Sequence, residues 1–274
     1  PMETVAADGI AARFAGHVAD ESRLAGRAEL LAFPLCEADV CEVLELGRRV
    51  TVSGGRTGIV GGAVPAGGVA LSTERMDALS VEDDGAGGRV ARCGPGVSLE
   101  RLSAELAAHP AKLFFPPNPT ETTALVGGSV AANASGARSF KWGATRRYVR
   151  GLRVVLACGQ VLDLRRGDCA AGPDGFRVEL SGGEVLEVPL PRLEMPAVKS
   201  AAGYYSAPGM DLVDLFVGSE GTLGVIVEAV LALEKSPEST LSLQGFFGVL
   251  GERLIWDRMR MDPNDIADIT GATY

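Results

Sequence analysis

Ser53-Gly54-Gly55-Arg56-Thr57-Gly58, with Gly61-Gly62 close behind, follows a short apolar strand, Val50-Thr51-Val52. So few side chains leave the backbone bare. Glycine reaches positive φ without steric cost, and successive N–H groups in such a loop turn inward to form an anion-binding concavity. Ser53 and Thr57 add hydroxyl donors. A pyrophosphate is the natural guest, although a glycine-rich surface turn produces similar text. The run is not a Rossmann fingerprint, which needs G-x-G-x-x-G passing from a strand into a helix, and no Walker loop is present. Val64-Pro65-Ala66-Gly67-Gly68 comes next, and Pro and Gly oppose a helix. The spacing therefore predicts a nest between two strands, without a helix dipole.

Two later segments give this loop its meaning. The first is Pro116-Pro117-Asn118-Pro119-Thr120, continued by Gly127-Gly128-Ser129-Val130-Ala131-Ala132-Asn133-Ala134-Ser135-Gly136. A tightly packed small-residue helix would explain the glycines and alanines. It would not need Thr120, Ser129, Asn133 and Ser135 spread through them, which are hydrogen-bonding groups on a surface open to close approach. The second runs from Asp214 through Gly218-Ser219-Glu220-Gly221-Thr222-Leu223-Gly224 to Ile226. It reads as an apolar strand, a glycine-rich turn holding one acid, and another apolar strand through Leu233.

At VTVSGGRTGIVGG (50–62), PPNPTETTALVGGSVAANASGARSFKWG (116–143) and DLVDLFVGSEGTLGVI (211–226) the chain resembles a known family. It is similar to the PCMH-type FAD-binding domain of the vanillyl-alcohol oxidase flavoproteins, closest to the glycolate oxidase and D-lactate dehydrogenase group of FAD-linked oxidases. The resemblance starts near Asp20 and fades after about Leu233. It implies an α+β fold of two lobes, a small α/β lobe and an antiparallel sheet with helices, with FAD in the cleft between them. It also implies roles. Ser53, Gly54, Gly55, Arg56, Thr57 and Gly58 hold the pyrophosphate. Pro119, Thr120, Gly127, Gly128, Ser129, Ala131, Asn133, Ala134, Ser135 and Gly136 line the flavin and ribityl portion, continued by Ser139 and Gly143. Glu220, Gly221, Gly224 and Ile226 approach the flavin or adenine; for Glu220 a turn acid is the alternative. Several covalent members carry His where Arg56 stands, so the resemblance implies non-covalent FAD here. The Ala137–Gly143 text sets aside a reductase of the enolpyruvyl type.

Composition adds limits. The chain has 274 residues and a formal net charge of −9, which argues against nonspecific nucleic-acid binding through clustered Lys and Arg. No apolar run approaches the roughly 20 residues of a membrane span. No secretory signal is visible at the N-terminus, so the expected location is cytoplasmic, or peripheral at the inner face of a membrane through a partner. Cys36, Cys41, Cys93, Cys158 and Cys169 include no C-x-x-C and no paired histidine spacing, so no metal site is expected and the odd, scattered set fits reduced thiols.

Along the chain, 1–20 reads as an N-terminal segment, 21–115 as the first lobe, 116–234 as the second and 235–274 as a tail or the start of a truncated cap domain. Glu37–Leu46 reads as a helix with Val40, Val43 and Leu44 on one face and Gly47 ending it. Ser98–Ala108 reads as a helix capped by Ser98. Leu152–Leu156 with Val161–Leu164, and Val178–Leu180 with Val185–Val188 around Ser181-Gly182-Gly183, read as hairpins. Phe246-Phe247 could begin a cap strand, and Leu254, Ile255 and Met259 have helical spacing.

Oxidation of a 2-hydroxy acid needs a base for the hydroxyl proton and a cation for the carboxylate. Relatives place most of these in a cap domain that is largely absent here. The only histidines are His17, before the matched region, and His109, at a helix end, so no catalytic residue is assigned. Two readings stand. The chain is the FAD-binding domain or subunit of an oxidoreductase acting on a 2-hydroxy acid of the glycolate or D-lactate type by hydride transfer. Alternatively, it is a flavin-binding module without turnover of its own, needing an iron–sulfur or cap-bearing partner subunit.

Overall fold

The computed structural model describes residues 1–117, 121–180, 183–196 and 200–238. Its first sheet holds β1 (Glu3–Ala6), β2 (Leu30–Phe33), β3 (Val50–Ser53) and β4 (Val69–Ser72), in the order β1-β2-β4-β3. β1 runs antiparallel to β2, while β2 and β3 both run parallel to β4. Two helices belong to it, α1 (Ala7–Arg13) and α2 (Glu37–Glu45). α2 buries Val40 and Val43 as its spacing predicts, and Gly47 at φ 64° ends it.

Parallel neighbours need a crossover of about a dozen residues or more, usually a helix. Between β3 and β4 that crossover is the glycine-rich stretch 54–68 itself, with no helix in it. The loop therefore stands at the carboxyl ends of parallel strands, where open α/β sheets place their ligands.

The remaining strands, in chain order, are β5 (Leu79–Asp83), β6 (Arg89–Cys93), β7 (Leu113–Phe114), β8 (Val149–Val155), β9 (Val161–Arg165), β10 (Phe176–Glu179), β11 (Val185–Val188), β12 (Val225–Ala232) and β13 (Glu234–Lys235). Five form an antiparallel sheet ordered β5-β6-β12-β8-β9. β10 pairs with β11, and β7 with β13. The helices here are α3 (Leu99–Ala108), α4 (Val126–Ala131), α5 (Ser139–Trp142) and α6 (Leu212–Phe216). Ser98 caps α3 by accepting from the Arg101 N–H at 3.1 Å.

Both expected hairpins form, β8–β9 and β10–β11, though Ser181 and Gly182 lie outside the described residues. So do Phe246, Phe247 and the rest of the tail from Ser239.

Two expectations differ from the structure. Residues 79–108 do not join the first sheet: β5 and β6 pair within the five-stranded sheet, and α3 packs there. The first sheet instead recruits the N-terminal segment, through β1. Residues 212–216 form a helix and not a strand. Asp211 accepts from the Val213 N–H at 2.9 Å and makes a reciprocal capping box with Asp214, so the capping signal outweighs the apolar run.

The main core lies between α3, α4 and α6 and the second sheet, with Leu102, Leu106, Val126, Val130, Leu212 and Leu231 buried. A smaller cluster joins the sheets: Val40 and Val43 of α2 and Val69 and Leu71 of β4 pack with Val155, Val225 and Val227. Shared apolar burial, worth about 25 cal/mol per Å², ties the two lobes and defines the cleft between them.

Candidate functional site

A cleft of about 630 Å³ runs between the lobes, within the roughly 300–1,000 Å³ usual for ligand sites. One wall is the loop leaving β3: Gly54, Gly55, Arg56, Thr57 and Gly58 line it. The other wall comes from α4 and the turn after it, with Gly127, Gly128, Ser129, Ala131, Asn133, Ala134 and Ser135. Glu220, Gly221, Gly224 and Ile226 supply the floor. Three stretches far apart in sequence thus meet around one space.

Ser53 lies behind the lining, fully buried, and Gly136, Ser139 and Gly143 also fall outside it. Those three shape α5: Ser139 Oγ accepts from the Gly136 N–H at 2.8 Å, and Gly143 ends the helix at φ 81°. Pro119 and Thr120 lie outside the described residues. The lining also holds residues that sequence reasoning missed, among them Asp20, Ile59, Val60, Pro95, Glu121 and Ala201. Ile59 and Val60 sit within the glycine loop and were legible there. Pro95 and Ala201 arrive only through tertiary packing.

Backbone geometry explains the glycines. A Cβ on Gly127 would lie 2.5 Å from Pro95 Cβ and 3.1 Å from its Cα, so α4 approaches that proline too closely for any side chain. A Cβ on Gly55 would lie 3.1 Å from the Thr123 carbonyl oxygen. Five described residues other than glycine have positive φ, and Arg56 (59°), Asn133 (45°) and Glu220 (54°) line the cleft. Such conformations cost roughly 1–3 kcal/mol each and gather where a site over-determines them.

The loop abuts the first turn of α4: a Cβ on Gly54 would sit 3.7 Å from Gly128 N. The expected nest without a helix therefore has a short helix beside it. Much of that helix end is already used, because the Val126 and Gly127 N–H groups donate to Val97 and Pro95 carbonyls at 2.8 and 3.0 Å.

Arg56 is the only cation lining the cleft among the described residues, and it is committed. Its guanidinium donates to the Gly54 carbonyl at 3.0 Å and pairs with Glu74 at 3.3 Å. Glu74 also meets His17 Nε2 at 3.2 Å. That hydrogen bond from His17, with the charges of His17 and Arg56, outweighs burial and holds the Glu74 carboxyl down at about 2. Across the cleft Glu220 reaches over Gly62, where a Cβ would lie 2.9 Å from its Oε2. Burial pushes the Glu220 carboxyl up.

FAD fits these residues by two observations. Ser129 Oγ, in the lining, is buried without a hydrogen-bonding partner in the protein, a cost that a polar ligand removes. The walls also present bare backbone to the cleft at Gly54, Gly55, Gly58, Gly127 and Gly128.

The family described as "FAD binding domain" matches residues 28–165, half of the chain. D-lactate dehydrogenase of Archaeoglobus fulgidus is 39% identical over 185 residues, covering 67% of this chain and 33% of that protein. Glycolate oxidase subunit GlcD of Bacillus subtilis is 32% identical over 198 residues, 71% of this chain and 33% of that one. The chain thus spans about a third of the length of these relatives. Among solved structures, 6-hydroxy-D-nicotine oxidase from Arthrobacter nicotinovorans superposes with a TM-score of 0.63 at 18% identity, over 88% of this chain and 44% of that one, a likeness of fold. Relatives of both kinds agree with a match over half of the sequence: the chain belongs to the FAD binding domain family, and its cofactor is FAD.

Proposed function

We propose that this chain is the FAD-binding part of an FAD-linked oxidoreductase that oxidises a 2-hydroxy acid of the glycolate or D-lactate type. The observation that carries the reading is the cleft walled by bare backbone on both sides, in a chain similar to a D-lactate dehydrogenase and a glycolate oxidase subunit. Bound FAD supplies the hydride acceptor.

The chain's own residues bind and orient it. Amides of 54–58 hold the diphosphate, with Thr57 adding a hydroxyl. Ser129 and Asn133 face the rest of the cofactor, and the 220–224 turn closes the floor. Because Arg56 is engaged with Glu74, the anion is held by N–H groups more than by a free cation.

FAD is held without a covalent bond. A guanidinium stays protonated and non-nucleophilic at ordinary pH, and this one is ion-paired. Denaturing electrophoresis is expected to leave the protein band without flavin fluorescence; a fluorescent band overturns this.

One observation favours the second reading, a flavin-binding module that depends on a partner or cap for turnover. Neither histidine lines the cleft. His17 packs against Phe14 and Phe33 behind Glu74, and His109 ends α3. The similarity to a protein named as a subunit supports a partner. Free cysteines at all five positions support a reducing, cytoplasmic setting. Among the described residues no helix is long and apolar enough to cross a membrane.

An anaerobic visible spectrum before and after adding D-lactate or glycolate decides between the readings. Flavin bands that bleach support the oxidoreductase; bands that persist support the module. No bands after incubation with FAD would sink both.

A further inference from the structure

Three segments distant in sequence meet at one residue whose side chain does not line the cleft. Arg146 lies in the 3-10 turn Thr145–Tyr148. Its backbone N–H donates to Asn133 Oδ1 at 3.0 Å. Its side chain donates to the carbonyl oxygens of Asp214 and Val217, and to Asp214 Oδ1 at 3.4 Å. The guanidinium also lies 4.3 Å from the centre of the Tyr205 ring. Arg146 and Asp214 are only 18% and 10% exposed, so these contacts are sheltered from water.

Each contact leads to the cleft. Asn133 lines it in a left-handed conformation. Val217 precedes the 218–221 turn, whose Gly218 and Glu220 N–H groups donate to the Val130 and Ala131 carbonyls at 3.0 and 2.9 Å. Gly218 is packed so that a Cβ would meet both Arg146 Nη2 and Asn133 Cβ at 3.4 Å. Beside Tyr205, Tyr204 joins its hydroxyl to Thr222 Oγ1 at 2.7 Å, and Ala201 of the same segment lines the cleft.

Arg166 makes a natural control. It shares the Asp214 carboxylate, at 2.9 and 3.1 Å, but its other partners are the Val149 and Arg146 carbonyls, toward the sheet.

We infer that Arg146 is the positioning residue of the cofactor cleft: its guanidinium sets the 218–221 turn in register beside Asn133, so that FAD affinity depends on it from behind. This rests on the FAD reading above. The fork of the guanidinium is what the role requires: two carbonyls and a carboxylate are gripped at once in a fixed plane, which the single ammonium of lysine cannot reproduce.

The test is FAD titration of the purified chain, followed by flavin fluorescence and visible circular dichroism, with melting curves alongside. Arg146→Met and Arg146→Lys are expected to weaken FAD binding by about 10- to 100-fold, taking the scale from loss of an outer-shell partner at a metal site. Lysine should recover part of the melting temperature but little of the affinity, and should alter the dichroism of the bound flavin. Arg166→Met should lower the melting temperature while leaving the FAD Kd within about threefold of wild type.

The inference is overturned if folded Arg146→Met or Arg146→Lys binds FAD like wild type, or if Arg166→Met loses as much affinity as Arg146→Met. Should Arg146→Met not fold, Arg146→Lys decides alone. A wild-type chain that takes up no FAD overturns the cofactor reading as well, and is recognised before any substitution is made.

Discussion

The loop that leaves β3 and the wall formed by α4 with the 218–221 turn face each other across one cleft, but they are held differently. Among the described residues, the part of the loop that faces the cleft, 54–64, bonds to the rest of the fold at few points: the Glu21 N–H on the Arg56 carbonyl at 3.2 Å, and the Arg56–Glu74 pair. The loop is fastened beyond it, where Pro65 and Gly67 bond to Arg27 at 2.8 and 2.7 Å. Ile59 and Val60 at its tip are 77% and 71% exposed. The opposite wall is stitched at every turn. Gly218 and Glu220 bond to the end of α4, Ala134 bonds back to Ser129, Thr145 Oγ1 bonds to Ala134, and the sheltered Arg146–Asp214 pair backs them, with Arg166 tying Asp214 to the sheet side of the cluster. A diphosphate can be gripped by amides whose loop adapts to it, whereas a planar ring system needs a wall already set. The two walls divide those tasks.

The hardest way to break this arrangement is through the cluster. Asp214→Ala leaves two guanidinium groups facing each other without their carboxylate, and removing one partner of a buried pair costs about 3–5 kcal/mol. The remaining exposure of Arg146 and Arg166 argues for the lower end. Urea unfolding should report it. A loss under about 1 kcal/mol, the range of exposed pairs, would mean the stitched wall does not depend on its cluster.

Next comes Gly127→Ala. Its Cβ would meet Pro95 at 2.5 Å, so α4 must move away from the loop after β6. Overpacking of this kind costs about 1–3 kcal/mol, and FAD affinity should fall with it because Gly128 and Ser129 move too. An unchanged midpoint and Kd would show that the close approach is relaxed in solution.

How much of this was legible in the sequence follows from the same contrast. The loop wall was readable because it is local: glycines in a row announce bare backbone whatever surrounds them. The expected cleft residues from Gly54 to Gly58 and from Gly127 to Ser135 do meet. The stitching was not readable. Arg146 lies 68 positions from Asp214, and nothing local marks either as a partner of the other. Residues 212–216 look like a strand because all five are buried, which erases helical periodicity; only the Asp211–Asp214 box hinted otherwise. The lobe boundary was misplaced for a related reason. β5 and β6 are close in sequence to β4, yet they join the second sheet, where β6 pairs with β12, which the chain reaches much later.

On the loop side, Glu74→Gln should cost less. The folded carboxyl sits at about 2, below its ordinary 4.5, so its contribution is complete above about 4.5 and is lost as pH falls toward 2. With a third of the side chain exposed, solvent screening brings that contribution to about 1 kcal/mol. The stability gap between wild type and variant should therefore be widest above pH 4.5 and close in acid. A gap that stays constant down to pH 2 would place the effect in packing and not in the Arg56 and His17 contacts.

The smallest effect on stability is expected from Gly54→Ala, and it separates the walls most cleanly. The new methyl would meet Gly128 N, Gly128 Cα and Leu125 Cβ at 3.7–3.9 Å, ordinary contact distances. Nothing in the fold has to move, and a less flexible unfolded chain offsets any minor crowding by about 0.4–1 kcal/mol. The same methyl occupies cleft space that bare backbone leaves to the ligand. The melting temperature should hold or rise slightly while FAD binds more weakly. If binding is unchanged, the loop is not a backbone cradle, and its glycines serve only the passage from β3 to β4. If the protein is destabilised instead, the loop and α4 are packed as one body, and the contrast between an adaptable wall and a fixed one fails at its first contact.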